Sequence, residues 1–190
     1  MTIDTATTAL LVIDALTSSE PDAVYERPAD EARYAENCVR LARAARAAGM
    51  PVIFTNDDHI EGVDKELELW GPHGIHGKVT TFPELEAGTG ARDFIIPKRR
   101  YSGFFGTDLD LLLRELGIRT LIAVGEDTNI CVLHTLADAY FLGYDTIVPE
   151  DATRTFLCGT QEAGIEHFVK CYGSTITTTD DVVASLQGSC

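Results

Sequence analysis

Hydrophobic residues in this chain fall into short runs, separated by longer stretches in which polar and apolar positions mix. Most runs lack the strict alternation of a half-exposed strand and are rich in branched residues, so they predict strands buried on both faces. Strands are predicted at residues 9–15, 51–57, 93–98, 119–125 and 145–151 and, from a threonine-rich run, at 174–179.

The stretches between these runs predict helices, because alanine, arginine and leucine favour a helix and glycine commonly ends one. Helices are predicted at residues 29–50, 107–118, 129–144 and 160–171. Strand–helix alternation of this kind is typical of a parallel sheet between two helical layers. The chain of 190 residues is therefore predicted to form one three-layer α/β/α domain over residues 1–190.

Polar residues stand at the ends of four predicted strands. Asp14, Asp57 and Lys98 end the first three, and a polar turn at 125–131 follows the fourth. In open parallel sheets, ligands bind beyond the carboxyl ends of the strands. We therefore expect these groups to meet at one edge of the sheet.

The composition limits the possible binding partners of the protein and its cellular compartment. The net charge of −15 argues against nucleic acid, which requires a basic patch. No apolar run reaches the length of a membrane span, and no basic segment precedes the first apolar run as in a signal peptide. We expect a cytoplasmic protein that associates with neither membrane nor nucleic acid. The acidic, lysine-poor composition also suggests a hypothesis of adaptation to high salt.

Cys131 is the candidate nucleophile among five irregularly spaced cysteines, a pattern that favours neither a disulfide framework nor a zinc ribbon. It lies where a strand turns into a helix, and unpaired N–H groups there can lower the pKa of a thiol and hold an oxyanion. A buried packing role is an equally good interpretation of the cysteine alone. Asp14 is the preferred base over His134, and Lys98 would add positive charge beside the thiol.

A second set of residues has the chemistry of a metal site. Asp57 and His59 are two apart in an extended segment and point the same way, and His73 follows in a long irregular region. One carboxylate and two imidazoles suit Zn²⁺, Fe²⁺ or Mn²⁺. Asp58 and His76 are competing ligands, and three unrelated polar loop residues remain the alternative.

Together these segments resemble the isochorismatase-like cysteine hydrolases, and within them the nicotinamidase-related amidases. The resemblance covers most of residues 9–152. It rests on "LLVIDA", "TNDDH", "WGPHGIHG", "KRRYSGFFGTDLD" and "GEDTNICVLHTLADAYFLGYD". It implies a six-stranded parallel sheet in a Rossmann-like layout.

The resemblance also implies catalytic roles. Asp14, Lys98 and Cys131 would form a triad, and the backbone N–H groups of Asp127 and Cys131 would form the oxyanion hole. Family members carry a non-proline cis peptide in this turn, which is expected here at Glu126–Asp127.

The binding roles that it implies concern a metal and an aromatic ring. Asp57, His59 and His73 would hold a divalent metal, most simply zinc, with iron or manganese as alternatives and no organic cofactor. The metal would bind water and the ring nitrogen of a pyridine, and Trp70 and Tyr101 would line the ring pocket. The family also implies a homo-oligomer.

Two departures from the family pattern concern the substrate. The text after the first aspartate, "DALTSSEP", lacks the aromatic that would clamp a pyridine ring from that side. The turn before the cysteine carries "EDT", where a small residue usually precedes the threonine. The added charge of Asp127 would oppose thiolate formation unless its side chain points away or is paired.

These observations predict hydrolysis of a small carboxamide through a thioester, with nicotinamide as the first substrate to consider. Another carboxamide or a ureide, of the carbamoyl or maleamate type, is the nearest alternative. Isochorismate hydrolysis cleaves a vinyl ether without needing the cysteine, so Cys131 argues against it. A non-catalytic small-molecule binder need not keep all three of Asp14, Lys98 and Cys131.

Overall fold

The fold is taken from a computed structural model that describes residues 1–16, 29–75 and 81–188. Its strands and helices alternate along the chain, as the hydrophobic pattern predicted. The strands are β1 Thr8–Ile13, β2 Val52–Asp57, β3 Asp93–Lys98, β4 Thr120–Glu126, β5 Asp145–Pro149, β6 Thr153–Arg154 and β7 Thr175–Thr177. The helices are α1 Ala29–Ala47, α2 Lys65–Trp70, α3 Leu109–Glu115, α4 Leu133–Leu142, α5 Gln161–Tyr172 and α6 Thr179–Gln187.

All the strands pair in parallel, in the order β3-β2-β1-β4-β5-β7. The two-residue strand β6 pairs with the end of β4, outside this path. The predicted α/β class with a parallel sheet flanked by helices is therefore confirmed. The six predicted strands all form, and β6 makes a seventh that is too short to show in a hydrophobic pattern.

Side chains from alternating strand positions enter two separate cores, one on each face of the sheet. On one face Leu10, Val12 and Phe54 pack with α1 and α6. On the other, Leu11 and Ile13 pack with helices α3 to α5. Because both faces are buried, the strands read as continuous apolar runs and do not alternate with polar residues.

Two helices were not anticipated from the sequence. Helix α6 begins after Thr178, whose hydroxyl accepts a hydrogen bond from the N–H of Asp181. The threonine run that looked like the end of a strand thus also supplies a helix cap. Helix α2 has only six residues and lies inside the segment interpreted as irregular. Among the described residues, no helix is long and apolar enough to cross a membrane.

The order of the strands determines where a cleft can open. The chain runs outward from β1 through β2 to β3, then returns to place β4 on the opposite side of β1. In a doubly wound sheet, the helices that follow two such neighbouring strands lie on opposite faces and leave a crevice beyond the strand ends. Asp14 follows β1 and Cys131 follows β4, so both lie at this switch point.

Gly125 allows β4 to approach β1 closely just before the turn that carries Cys131. Its φ of +134° is open to glycine and strained for other residues. A Cβ built on Gly125 would also overlap the carbonyl oxygen of Ile13 in the neighbouring strand. Both are backbone constraints, so no side-chain movement can relieve them.

We expect Gly125→Ala to lower the free energy of unfolding by more than about 4 kcal/mol, because strain and a backbone clash combine. Gly143→Ala is the matched control, since Gly143 also has a positive φ, of +86°, but a Cβ there would meet no atom within 4 Å. Gly143→Ala should lower the free energy of unfolding by only about 1 kcal/mol. Urea unfolding of both variants measures the difference, and equal losses would contradict the clash.

Candidate active site

The ends of four strands bring the predicted catalytic set together. The Nζ of Lys98, the last residue of β3, lies 2.7 Å from Oδ2 of Asp14 and 3.5 Å from Sγ of Cys131. The same ammonium group also donates a hydrogen bond to Oδ1 of Asp57. The Lys98 side chain is fully buried. The convergence predicted from the strand ends is therefore present, with Lys98 at its centre.

The backbone holds Asp14 in position. Asp14 comes directly after β1 with a φ of +47°, and its N–H donates to the carbonyl of Thr55 at 3.0 Å. Its Oδ1 accepts a hydrogen bond from the N–H of Asp57 at 2.7 Å. The carboxylate is thereby held between the ends of β1 and β2, with its second oxygen directed at Lys98.

Burial and neighbouring charges separate the pKa values of the two carboxylates. Burial raises the pKa of Asp14 to about 6, and the charge of Asp57 adds to this while Lys98 opposes it. Burial would also raise the pKa of Asp57, but Lys98 and a hydrogen bond with His59 outweigh it and lower the pKa. Asp14 is thus the carboxylate suited to proton transfer near neutral pH, and Asp57 the one that remains charged.

The thiol differs from its sequence-based expectation. Burial raises the pKa of Cys131 well above its ordinary value, the charges of Asp14 and Asp57 raise it further, and Lys98 lowers it. The lowering of this pKa that the helix start was expected to cause is outweighed by desolvation and by two nearby carboxylates. Carboxylate oxygens of Asp14 and Asp57 and the Sγ of Cys131 lie within 4.8 Å of one another, close enough for Asp14 to take the proton.

His134 does not act as the partner of the thiol in this arrangement. Its Nδ1–H donates to the carbonyl of Ile130 at 2.7 Å, one turn earlier in the helix. Its ring is tilted against that of Tyr101, with the ring centres 5.3 Å apart. Asp14 is thus the better placed of the two candidate bases, as the sequence indicated.

A second group of side chains lies beside Asp57. A carboxylate or imidazole atom from each of four residues lies within 4.8 Å of the others, and the four are Asp57, His59, Glu66 and His73. Three of them are the predicted metal ligands. Glu66 was missed, because nothing in "DKELELW" distinguishes the glutamate that α2 turns inward from those it leaves outside. Of the competing ligands, Asp58 is exposed and His76 lies outside the described residues.

The donor atoms fit a divalent metal. The Nε2 atoms of His59 and His73 are 3.0 Å apart, and each lies 3.7 Å from a carboxylate oxygen of Asp57. The Nδ1–H of His73 donates to the carbonyl of Gly71 at 2.8 Å, which leaves Nε2 with its lone pair. The Oε2 of Glu66 is buried and has no hydrogen-bond partner among the residues that the structure describes. Such a buried acceptor in a carboxylate and imidazole set is what a bound cation would satisfy.

The two aromatic residues predicted to line a pocket lie beside each other. The indole N–H of Trp70, at the end of α2, donates to the hydroxyl of Tyr101 at 3.0 Å. Trp70 is 42% exposed. The pair therefore joins the segment that carries Glu66 to the segment that follows Lys98.

The turn between β4 and α4 spans residues 127–132 and is called the nucleophile turn below. The peptide Glu126–Asp127 is cis, as expected. The carbonyl of Asp127 accepts hydrogen bonds from the N–H groups of Ile130 and Val132, the two residues that flank Cys131, both at 3.1 Å. In the part of the chain that the structure describes, the N–H groups of Asp127 and Cys131 make no backbone hydrogen bond outside the regular elements.

Comparison with known proteins agrees with this geometry. Residues 8–181 match the family described as the isochorismatase domain. The chain belongs to the isochorismatase family. Among its relatives is the ureidoacrylate amidohydrolase RutB of Agrobacterium fabrum (strain C58), which is 33% identical over 168 residues. That match covers 76% of this chain and 72% of the relative.

Two solved structures of the family are similar over nearly the whole fold. Nicotinamidase PncA from Bacillus subtilis is 32% identical with a TM-score of 0.78, over 90% of this chain and 99% of that one. N-carbamoylsarcosine amidase from Thermoplasma acidophilum is 31% identical with a TM-score of 0.78, over 92% and 97% of the respective chains. The family thus includes members named for amide and for ureide substrates.

We expect Glu66→Gln to weaken binding of Zn²⁺ and Mn²⁺ at least about tenfold, because it removes a buried charged ligand from the set. Titration calorimetry on metal-stripped protein measures the affinity. Asp58→Asn is the matched control, since this neighbouring carboxylate is exposed and should leave the affinity unchanged. Equal affinities for wild type and Glu66→Gln would exclude Glu66 as a ligand.

Proposed function

We propose that this protein is a cysteine-dependent amidohydrolase that cleaves small, non-peptide carboxamides through a thioester. The observation that carries the proposal is the buried ammonium of Lys98, which contacts the thiol of Cys131 and the carboxylate of Asp14. A nucleophile, a base with a pKa near 6 and a fixed positive charge are the parts that nucleophilic catalysis requires.

The first half of the reaction follows from the resting charges. Because burial keeps Cys131 as a thiol, its proton moves to Asp14 as the sulfur attacks the carbonyl carbon. The negative charge then passes from Asp14 to the tetrahedral oxyanion. The N–H groups of Asp127 and Cys131 are proposed to hold this oxyanion. Lys98 remains close to each group that carries charge during the transfer.

The second half uses the same base in reverse. Asp14 returns the proton to the departing nitrogen, so ammonia leaves and the acyl group remains on Cys131 as a thioester. Asp14 then removes a proton from water, which attacks the thioester. The C–S bond breaks, the carboxylic acid leaves, and Asp14 returns the proton to the sulfur of Cys131. The groups around Lys98 maintain its charge throughout. Burial would lower its pKa, but Asp14, Cys131 and Asp57 together raise the pKa well above its ordinary value.

The candidate metal ligands beside the triad limit the class of substrate that fits the site. Asp57, His59, Glu66 and His73 would hold a divalent metal, which supplies an electron-pair acceptor next to the nucleophile. Because Asp57 contacts Lys98 as well as the two histidines, the two groups of residues are contiguous. A small carboxamide that also carries a metal-binding nitrogen suits this arrangement, and nicotinamide has both. The exposed pair of Trp70 and Tyr101 offers aromatic surface for its ring.

A ureide is the second candidate. The relatives named as ureidoacrylate amidohydrolase and N-carbamoylsarcosine amidase act, by their names, on carbamoyl nitrogen compounds. The same triad would attack a ureido carbonyl without any change of roles. Ammonia release from nicotinamide, ureidoacrylate and N-carbamoylsarcosine, measured side by side, separates the two candidates by their kcat/KM values.

We expect Cys131→Ala to lower ammonia release from the preferred amide by at least about 10⁴-fold, because no other group can form the thioester. Trapping the acyl group by acid quench and measuring the intact mass should show the thioester in wild type only. Cys38→Ala is the matched control, since Cys38 is also a buried thiol but bonds to the carbonyl of Ala152.

Each alternative to this mechanism has its own outcome. Amide turnover that persists in Cys131→Ala would exclude the cysteine mechanism, and turnover of isochorismate without turnover of any amide would favour vinyl-ether hydrolysis. No turnover of any amide by wild type, combined with tight binding of one of them, would favour a non-catalytic binder.

We expect Asp14→Asn to lower kcat by about 10²–10⁴-fold, because the amide cannot accept the thiol proton. Asparagine tolerates the positive φ of Asp14, so the backbone should remain intact. Thermal unfolding should confirm a folded protein, and alkylation of Cys131 by iodoacetamide should be slowed in parallel. A fully active Asp14→Asn would rule out Asp14 as the base.

A further inference from the structure

Both oxygens of the Asp127 carboxylate accept hydrogen bonds from backbone N–H groups. Asp127 is only 4% exposed. Its Oδ1 accepts from the N–H of Asn129 at 2.8 Å, and its Oδ2 accepts from Phe156 and Leu157 at 2.9 and 2.8 Å. Three N–H donors and the start of a helix stabilise a carboxylate. The negative charge that looked unfavourable in the sequence is therefore compensated.

These donors come from two separate segments. Asn129 belongs to the nucleophile turn, whereas Phe156 and Leu157 belong to residues 155–161, which run from the end of β6 to the start of α5 and are called the strap below. One carboxylate thus fastens the strap to the turn that carries Cys131. A single hydrogen bond to a charged group contributes more than a neutral one, so a carboxylate shared among three donors makes a strong joint.

Asn129 strengthens the same joint from the other side. Its Nδ2 donates to the carbonyls of Cys158 and Thr160 at 2.7 and 3.0 Å. Glycines in the strap and in α5 leave room for the Asn129 amide. A Cβ on Gly164 would lie 2.5 Å from Oδ1 of Asn129, and one on Gly159 would lie 3.1 Å from its Nδ2. The chain is therefore built to hold Asn129 between the strap and the turn.

We propose that Asp127 is a positioning residue, whose carboxylate locks the nucleophile turn against the strap and so orients the N–H groups and the thiol of that turn. The inference rests on the proposed function, because it assigns the side chain a part in that reaction. The backbone of Asp127 faces the reaction, while its side chain determines how rigidly that backbone is held. Displacing a hydrogen-bond donor by about 1 Å lowers the catalytic rate by as much as 100-fold, while substrate binding in the ground state changes little.

The test compares Asp127→Asn and Asp127→Ala with wild type. Asparagine keeps one acceptor oxygen and can satisfy either the turn or the strap, whereas alanine satisfies neither. We expect kcat to fall about tenfold for Asn and about 100-fold for Ala, with KM changed less than about threefold. Hydrogen exchange at the Phe156 and Leu157 amides should accelerate in the same order, because their acceptor is Asp127.

Asp151→Asn is the matched control for a purely structural effect. The Oδ1 of Asp151 accepts from the N–H and the hydroxyl of Thr179, at 2.8 and 2.9 Å, and so caps α6 as Asp127 caps the nucleophile turn. It should lower the melting temperature while leaving kcat unchanged.

Three outcomes decide the proposal. A graded loss of kcat in the Asp127 variants, at a melting temperature no lower than that of Asp151→Asn, would support it. If the wild type is active and the Asp127 variants show faster exchange at Phe156 and Leu157 but an unchanged kcat, the positioning role alone is overturned. Absence of turnover by wild type on every amide tested would overturn the proposed function, and the positioning role with it.

Discussion

The structure depends above all on one buried positive charge. The ammonium of Lys98 has no access to water, so its desolvation must be offset by the carboxylates of Asp14 and Asp57 and by the thiol of Cys131. Two carboxylates that share one ammonium cannot have the same pKa when their other neighbours differ. Asp57 also contacts His59 and is held in its charged form, while the pKa of Asp14 rises to about 6. The contrast between a carboxylate that stays charged and one suited to accept a proton is thus electrostatic in origin.

The parallel sheet makes this cluster geometrically possible. Neighbouring strands β3, β2, β1 and β4 each bring one residue to the same edge, namely Lys98, Asp57, Asp14 and Cys131. Strand ends in a packed sheet are rigid, so groups carried on them keep their separations without an ordered loop. The metal-ligand set is built differently, because Glu66 and His73 come from the excursion between β2 and β3.

Much of this arrangement could be predicted from the chain. The buried strands were visible as apolar runs, and the rule that ligands bind at their carboxyl ends selected Asp14, Lys98 and Cys131. Glu66 could not be selected, because only the docking of α2 makes this glutamate 7% exposed and leaves Glu68 outside. The helix start, which is a local feature, predicted a lowered pKa for the thiol of Cys131. The desolvation that keeps it protonated arises from the packing of residues far apart in sequence.

The sequence by itself determined the layered fold, the edge of the sheet where chemistry is possible and the residues at the strand ends. Each of these follows from periodicity and from the type of a residue, which are local properties. Only the tertiary structure revealed the opposed pKa shifts of the buried groups, the fourth member of the candidate ligand set and the donors that surround Asp127. These depend on burial and on hydrogen bonds between distant segments, as when the carboxylate of Asp127 accepts from Phe156 and Leu157. A carboxylate beside a thiol looks unfavourable until its donors are known, and the fold supplies those donors from 29 and 30 residues away.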